Sequence, residues 1–255
     1  MRYRLRRFLV SVAALSSWLL FPVVLLQGAY LRLTVPRLGE APGARSGRVD
    51  GAAPVLRLLV MGESTAVGVG APDQKQAVAR WTAETVAALS GRAVAWRVLG
   101  RNGATAHSLR KRLLEPAEDV EADLAVVILG VNDTLRFHGP RRWRRDLTRL
   151  LESLRERCGP VPVVLASVPP MNRFPAIPSP TRQVLGLRAA CLGEAAAAWA
   201  SAMAAVAYSP MPEDSDEPLE SLFGADGFHP SAEGYRRWGE LLGQEGFALL
   251  GKPGP

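Results

Sequence analysis

VLRLLVMGES, residues 55–64, sets six apolar residues around a single Arg and then delivers, without a break, a Gly, an acid and a Ser. A short apolar run that stops at a Gly fits a strand buried on both faces of a parallel sheet. Working outward, Gln76–Leu89 puts Val78, Trp81, Val86 and Leu89 on one helical stripe, with Gly91 beyond it as a stop. Val94–Leu99 reads as a second strand, Ala106–Leu114 as a short helix and Leu124–Leu129 as a third strand. Trp143, Leu147, Leu150, Leu151 and Leu154 form the next helical stripe, closed by Gly159. Val161–Ser167, the Ala-rich Arg182–Ala202 and the weaker Met203–Tyr208 continue as strand, helix and strand, and Ser231 opens a last helix through Tyr235, Trp238, Leu241 and Leu242. Strands alternating with helices of this length imply right-handed crossovers and a parallel sheet covered on both faces. Ligands of such sheets sit beyond the carboxyl ends of the strands, so the residues that follow each strand carry the chemistry.

The 255 residues, 48% hydrophobic and 22% charged, exclude a disordered chain. No fixed-period repeat, no zinc spacing and only two Cys exclude solenoids, zinc fingers and disulfide scaffolds. The formal charge of +7 suggests nucleic acid until it is divided by position: residues 1–40 hold six Arg and one Glu, and the rest is close to balance. No nucleic-acid partner is expected.

The N-terminal excess has its own reading. Arg2, Arg4, Arg6 and Arg7 precede 24 uncharged residues, Phe8–Leu31. A helix of that length spans roughly 36 Å, enough for a hydrocarbon core of about 30 Å. Residues 1–35 are therefore expected to be a membrane anchor or a cleaved signal segment, contacting the membrane through residues 8–31. The arginines would keep the N-terminus inside and leave the following domain outside the cytoplasm, periplasmic in a bacterium, or secreted if the segment is cleaved. Residues 36–54, PRLGEAPGARSGRVDGAAP, lack apolar periodicity and read as a linker. The domain is expected over residues 55–250.

Four loops converge on one sheet edge: Gly62-Glu63-Ser64, Asn102-Gly103, Gly130-Val131-Asn132-Asp133 and Asp226-Gly227-Phe228-His229-Pro230. Together they hold the parts of an acyl-transfer site. A serine hydroxyl needs a base to become a nucleophile, and His229 alone among the three His follows a carboxylate by three residues. Asp226 can fix the imidazole tautomer and stabilise the imidazolium, while the N–H groups of Ser64 and Gly103 and the Asn132 amide can meet an oxyanion. The pieces are weak alone, since Asn-Gly is first a turn dipeptide and Asn132 could merely cap a helix.

In this order and at these strand ends, the chain resembles the SGNH/GDSL hydrolases, whose motif blocks carry a Ser, a Gly, an Asn and a His. The resemblance runs from about Val55 to Leu250. It implies a flavodoxin-like three-layer α/β/α fold with a five-stranded parallel sheet, and hydrolysis of esters or thioesters without metal or cofactor. Ser64 matches the nucleophile, Gly103 and Asn132 the further oxyanion donors, and Asp226 and His229 the Asp-x-x-His block. Glu63 departs from the Asp usual in the family and lengthens that arm by one methylene. Two other outcomes stay open on the residues: acyl transfer to a cell-envelope polysaccharide, and a catalytically silent domain that binds acylated glycans.

An α/β-hydrolase elbow is excluded because Ser64 follows the first strand and Asp226 lies beside His229 in sequence. A phosphate loop is excluded because Gly62–Gly70 lacks the Gly-Lys-Ser/Thr ending. Arg141, Arg142, Arg144 and Arg145 read as the solvated side of a helix whose apolar stripe begins at Trp143. Cys158 and Cys191 read as buried apolar residues sooner than as a bridge. The Pro-rich stretch 167–180, SVPPMNRFPAIPSP, carries Met171, Phe174 and Ile177 toward the edge where Ser64 lies. They are expected to form an apolar wall for the acyl side of an ester substrate, the alternative being a loop that buries its own apolar residues.

Overall fold

Alternation along the central strands divides the core in two. In the computed structural model, which describes residues 20–211 and 219–251, Leu59 and Met61 point into one apolar layer and Leu58 and Val60 into the other. The same period of two recurs in β4, where Ala125 and Val127 face the first layer and Leu124, Val126 and Ile128 the second.

The described elements are α1 (Phe21–Thr34), β1 (Ser46–Val49), β2 (Ala52–Gly62), α2 (Val78–Ser90), β3 (Arg92–Gly100), α3 (Ala106–Leu109), β4 (Leu124–Ile128), α4 (Val131–Leu135), α5 (Pro140–Cys158), β5 (Val163–Ala166), α6 (Thr181–Ala200), β6 (Val206–Ser209) and α7 (Ala232–Leu250). A π-helical turn, Arg110–Leu114, extends α3. The sheet has six strands in the order β1-β3-β2-β4-β5-β6, all parallel except β1, which pairs antiparallel with β3. Helices α5 and α6 cover one face around Trp143, Leu147 and Trp199, and α2 and α7 cover the other around Val78, Val86, Tyr235 and Leu242. This is the three-layer α/β/α arrangement, with one strand more than the five expected.

The extra strand comes from the stretch that reads as a linker. Ser46–Val49 pairs with Val94–Arg97, Arg45 O accepts from Val98 N, and Leu38 and Ala41 join the core around α2. A four-residue edge strand with three exposed positions leaves no apolar period to detect, and its Gly and Arg residues resemble linker composition. Leu89 is a second departure. It is 47% exposed, and the buried face of α2 runs instead through Val78, Ala79, Thr82, Ala83, Val86 and Ala87. Trp143 is fully buried at the head of the α5 stripe, with Arg141, Arg142, Arg144 and Arg145 exposed around it. No disulfide joins Cys158 and Cys191.

The expected span over residues 8–31 is only partly within reach, because residues 1–19 lie outside the described residues. No helix among the described residues is long and apolar enough to cross a membrane. Residues 21–34 instead form α1, a 14-residue helix with Val24 buried and Leu31 packed on the layer that holds Trp143. Counting uncharged residues treats Gln27 as neutral filler, whereas its amide pairs with the backbone at Ser179 and Thr181.

Gly62 lets the site form. A Cβ there would stand 2.2 Å from the carbonyl oxygen of Ile128 in β4, so any side chain forces the two strand ends apart. Gly62→Ala is expected to destabilise the domain by about 3 kcal/mol or more and to lower activity beyond the loss of folded protein. A melting midpoint within a degree of wild type would contradict this reading of the β2–β4 contact.

Candidate active site

Three strand ends and one late turn supply the site. Ser64 begins the tight turns that follow β2, with Val69 N bonding Ser64 O at 3.0 Å. The loop is pinned from two sides: Tyr235 of α7 donates its hydroxyl to Val69 O at 2.7 Å, and the Gln74 amide donates to Val67 O and Ala41 O at 3.0 Å. Ser64 itself is 6% exposed, and its N–H has no backbone acceptor among the described residues.

The turn that carries His229 is built by Asp226. Asp226 Oδ1 accepts from Phe228 N and His229 N, both at 2.9 Å, folding the chain back on itself in the manner of an Asx turn. The other oxygen, Oδ2, lies 2.7 Å from His229 Nδ1. An ionised carboxylate only accepts, so Nδ1 carries the proton and Nε2 is left as the basic nitrogen. Asp226 is 5% exposed. Burial opposes its charge, yet the bonds from the His229 ring and from the His229 and Phe228 N–H groups hold its carboxyl below the ordinary value.

Asn132 is oriented by Glu63. The Glu63 side chain, 2% exposed, accepts from Val131 N and Asn132 N at 2.9 Å each, and Asn132 Nδ2 donates to the same Oε2 that serves Asn132 N. The longer arm thus reaches across from the end of β2 to the start of α4. One amide hydrogen of Asn132 is committed to Glu63, which leaves Nδ2 a second to donate. Burial pushes Glu63 up to about 7, against the opposing bonds from Asn132 and Val131 and with a further rise from the Asp133 charge.

Gly103, with φ +77°, turns the chain after β3 in a conformation that favours Gly. Its N–H has no backbone acceptor among the described residues. Behind this edge stands a second acid–imidazole pair. Asp133, fully buried, accepts from Ala106 N at 3.2 Å and lies 2.7 Å from His138 Nδ1, tying the Asn132 loop to α3. Its spacing of five residues differs from that of the Asp226 turn, and a buried Asp between an Asn and a Thr gives no warning of it in sequence.

Ser64 and His229 line one cavity of about 350 Å³, with Val131, Pro169, Pro170, Phe174, Phe223, Phe228 and Trp238 among its walls. Ser64 Oγ makes no hydrogen bond to His229 among the described residues, a contact that commonly tightens only with substrate bound. The Phe174 ring packs edge-on against Phe223 at 5.2 Å and Phe228 at 5.0 Å, and Phe228 against the His229 ring at 5.2 Å. Of the three residues expected in an acyl wall, Phe174 lines the cavity. Met171 and Ile177 do not. They are 0% and 1% exposed within the core that holds Trp143, because the loop turns their side chains under the sheet edge. Phe223, Phe228 and Trp238 were not expected there. Phe228 could have been found, since it lies inside the Asp226–His229 turn.

Residues 60–237 match the model of the GDSL-like Lipase/Acylhydrolase family. The GDSL-like esterase Rv1075c of Mycobacterium tuberculosis is 27% identical over 236 residues, covering 85% of this chain and 73% of the relative. Among solved structures, the lipase Lip_vut3 from a goat rumen metagenome aligns with a TM-score of 0.57 at 18% identity, over 76% of this chain and 99% of that one. A family 3 carbohydrate esterase of Clostridium thermocellum aligns with a TM-score of 0.58 at 16% identity, over 77% of this chain and 98% of that one. At such identities the structural matches speak for the fold.

Two outcomes follow for Glu63. Gln would set an N–H against the three donors that the carboxylate now accepts, so Glu63→Gln should lower kcat with little change in KM, approaching the roughly 10²-fold cost of losing an oxyanion donor. Burial raises the Glu63 carboxyl from 4.5 to about 7, so its ionisation costs the fold stability as pH climbs through that window. Melting measured from pH 5 to 8 should therefore fall more steeply in wild type than in Glu63→Gln; parallel slopes would contradict the burial effect.

Proposed function

The chain belongs to the GDSL-like lipase/acylhydrolase family and is a serine hydrolase, and on that premise we propose that it cleaves carboxylic esters of apolar acyl groups through an acyl-enzyme on Ser64. The observation that carries the reading is the His229 ring, held by Asp226, opening with Ser64 onto one cavity whose walls are mainly apolar, with Arg173 and Arg237 also on its lining.

In this mechanism His229 Nε2 takes the Ser64 hydroxyl proton as Oγ attacks the ester carbonyl carbon. The carbonyl π electrons move to oxygen, and that oxyanion is met by Ser64 N–H, Gly103 N–H and the free Asn132 Nδ2 hydrogen. Asp226 holds the imidazolium in place through Nδ1–H. Collapse breaks the bond to the alcohol oxygen, which leaves with the proton from His229. Water then repeats the sequence on the acyl-enzyme: His229 takes its proton, the hydroxyl attacks, and Ser64 Oγ departs reprotonated.

The substrate class rests on the walls. Phe174, Phe223, Phe228, Val131 and Trp238 offer apolar and aromatic surface close to the nucleophile, which favours an acyl chain longer than acetyl. The test is steady-state hydrolysis of p-nitrophenyl acetate, butyrate and octanoate. Ser64→Ala is expected to lower kcat more than about 10⁴-fold on every ester. Phe174→Ala is expected to cost about tenfold in kcat/KM for octanoate relative to acetate, matching about 1.4 kcal/mol of lost apolar contact. A chain-length order unchanged by Phe174→Ala would remove the acyl wall from the account.

A further inference from the structure

The cavity wall contributed by residues 169–174 belongs to a connection with little structure of its own. Between β5 and α6 it forms one 3-10 turn, Met171–Arg173, and otherwise depends on attachments to its neighbours. One attachment is catalytic. Ala176 N donates to Gly227 O at 3.1 Å, inside the turn that carries Asp226 and His229, and Phe174 packs on Phe228 of the same turn.

The other end is held by α1. Gln27 Nε2 donates to Ser179 O at 2.8 Å, and Gln27 Oε1 accepts from Thr181 N at 3.2 Å. Thr181 opens α6, so its N–H lacks an intrahelical acceptor, and Pro180 before it provides no side-chain cap. A residue far away in the chain does so instead. Gln27 stands on the stripe Val24, Gln27, Leu31, whose apolar members fix α1 to the domain, and Phe21 adds an edge-on contact with Phe137 at 5.3 Å. Within the sequence Leu25-Leu26-Gln27-Gly28-Ala29, it is the one residue able to donate and accept through its side chain.

We propose that Gln27 is a positioning residue for the substrate cavity: by holding the outer end of the 167–180 connection, it keeps Phe174 against the Asp226–His229 turn and so sets affinity for long acyl chains. The proposal rests on the reading of this cavity as the acyl site. It makes α1 a working part of the enzyme rather than a passive leader. An acetyl group, too short to reach the wall, is unaffected by it.

The full-length chain tests this with Gln27→Met, which keeps side-chain length and helix propensity but removes both hydrogen bonds. The KM for p-nitrophenyl octanoate should rise roughly fivefold to tenfold, while kcat and KM for the acetate stay within about twofold. Gln27→Glu, which keeps only the acceptor for Thr181 N, should give a smaller rise. Amide exchange across residues 168–181 should quicken in Gln27→Met. A merely structural role would instead reduce kcat on both esters alike with KM unchanged, and that result overturns the proposal. So does an octanoate KM and an exchange pattern identical to wild type. If the wild-type chain turns over neither ester, the esterase reading fails by itself, and the exchange comparison still decides whether Gln27 holds the loop.

Discussion

A carboxylate buried between two strand ends organises this molecule. Glu63 leaves the end of β2 and receives Val131 N, Asn132 N and Asn132 Nδ2 from the start of α4. It can do so only because Gly62 has no side chain to keep β2 and β4 apart at Ile128 O. The same few residues that present Ser64 therefore also aim the Asn132 amide. In the proposed mechanism nucleophile and oxyanion donor therefore share one support, and a change in either strand end moves both. Holding a carboxylate out of water is costly, and burial pushes this one up to about 7; the three donors offset part of that cost and fix the loop geometry.

The base arrives independently. Asp226 divides its two oxygens between shaping its own turn and orienting His229, so the acid–base pair is assembled within four residues and needs no distant partner to be correct internally. What must be fixed over distance is the turn's place against the sheet. The packing of Phe228 on Phe174 and the bond from Ala176 N to Gly227 O join the turn to the cavity wall, while the Phe223–Pro230 bridge closes the turn's own base. The cavity wall thus rests on the Asp226–His229 turn, and α1 holds the outer end of the wall.

Much of this was legible in the residues. Buried parallel strands announce themselves as apolar runs that end in Gly, and the helices α5 and α7 by stripes beginning at Trp143 and Tyr235, so the layer order and the edge bearing the site followed directly. The Asp226–His229 turn was visible because its partners are near in sequence. Three things were hidden for physical reasons. β1 is short, exposed and antiparallel, and it makes its contacts through backbone that any composition could supply. Met171, Phe174 and Ile177 have the same apolar character and all join the core, and only the path of the loop decides that Phe174 also lines the cavity. The roles of Gln27 and Glu63 are long-range hydrogen bonds between residues 152 and 69 positions apart, which no local pattern encodes.

The central claim is that Ser64 Oγ becomes covalently acylated. The direct measurement is intact-mass and peptide-mapping mass spectrometry of the chain quenched in acid during turnover of p-nitrophenyl octanoate, and separately after exposure to a fluorophosphonate. The account predicts one added octanoyl group and one added phosphonyl group, each on the peptide bearing Ser64, with neither adduct in Ser64→Ala. A hydrolytically active chain that carries an adduct on another residue, or labels equally well without the Ser64 hydroxyl, would contradict it.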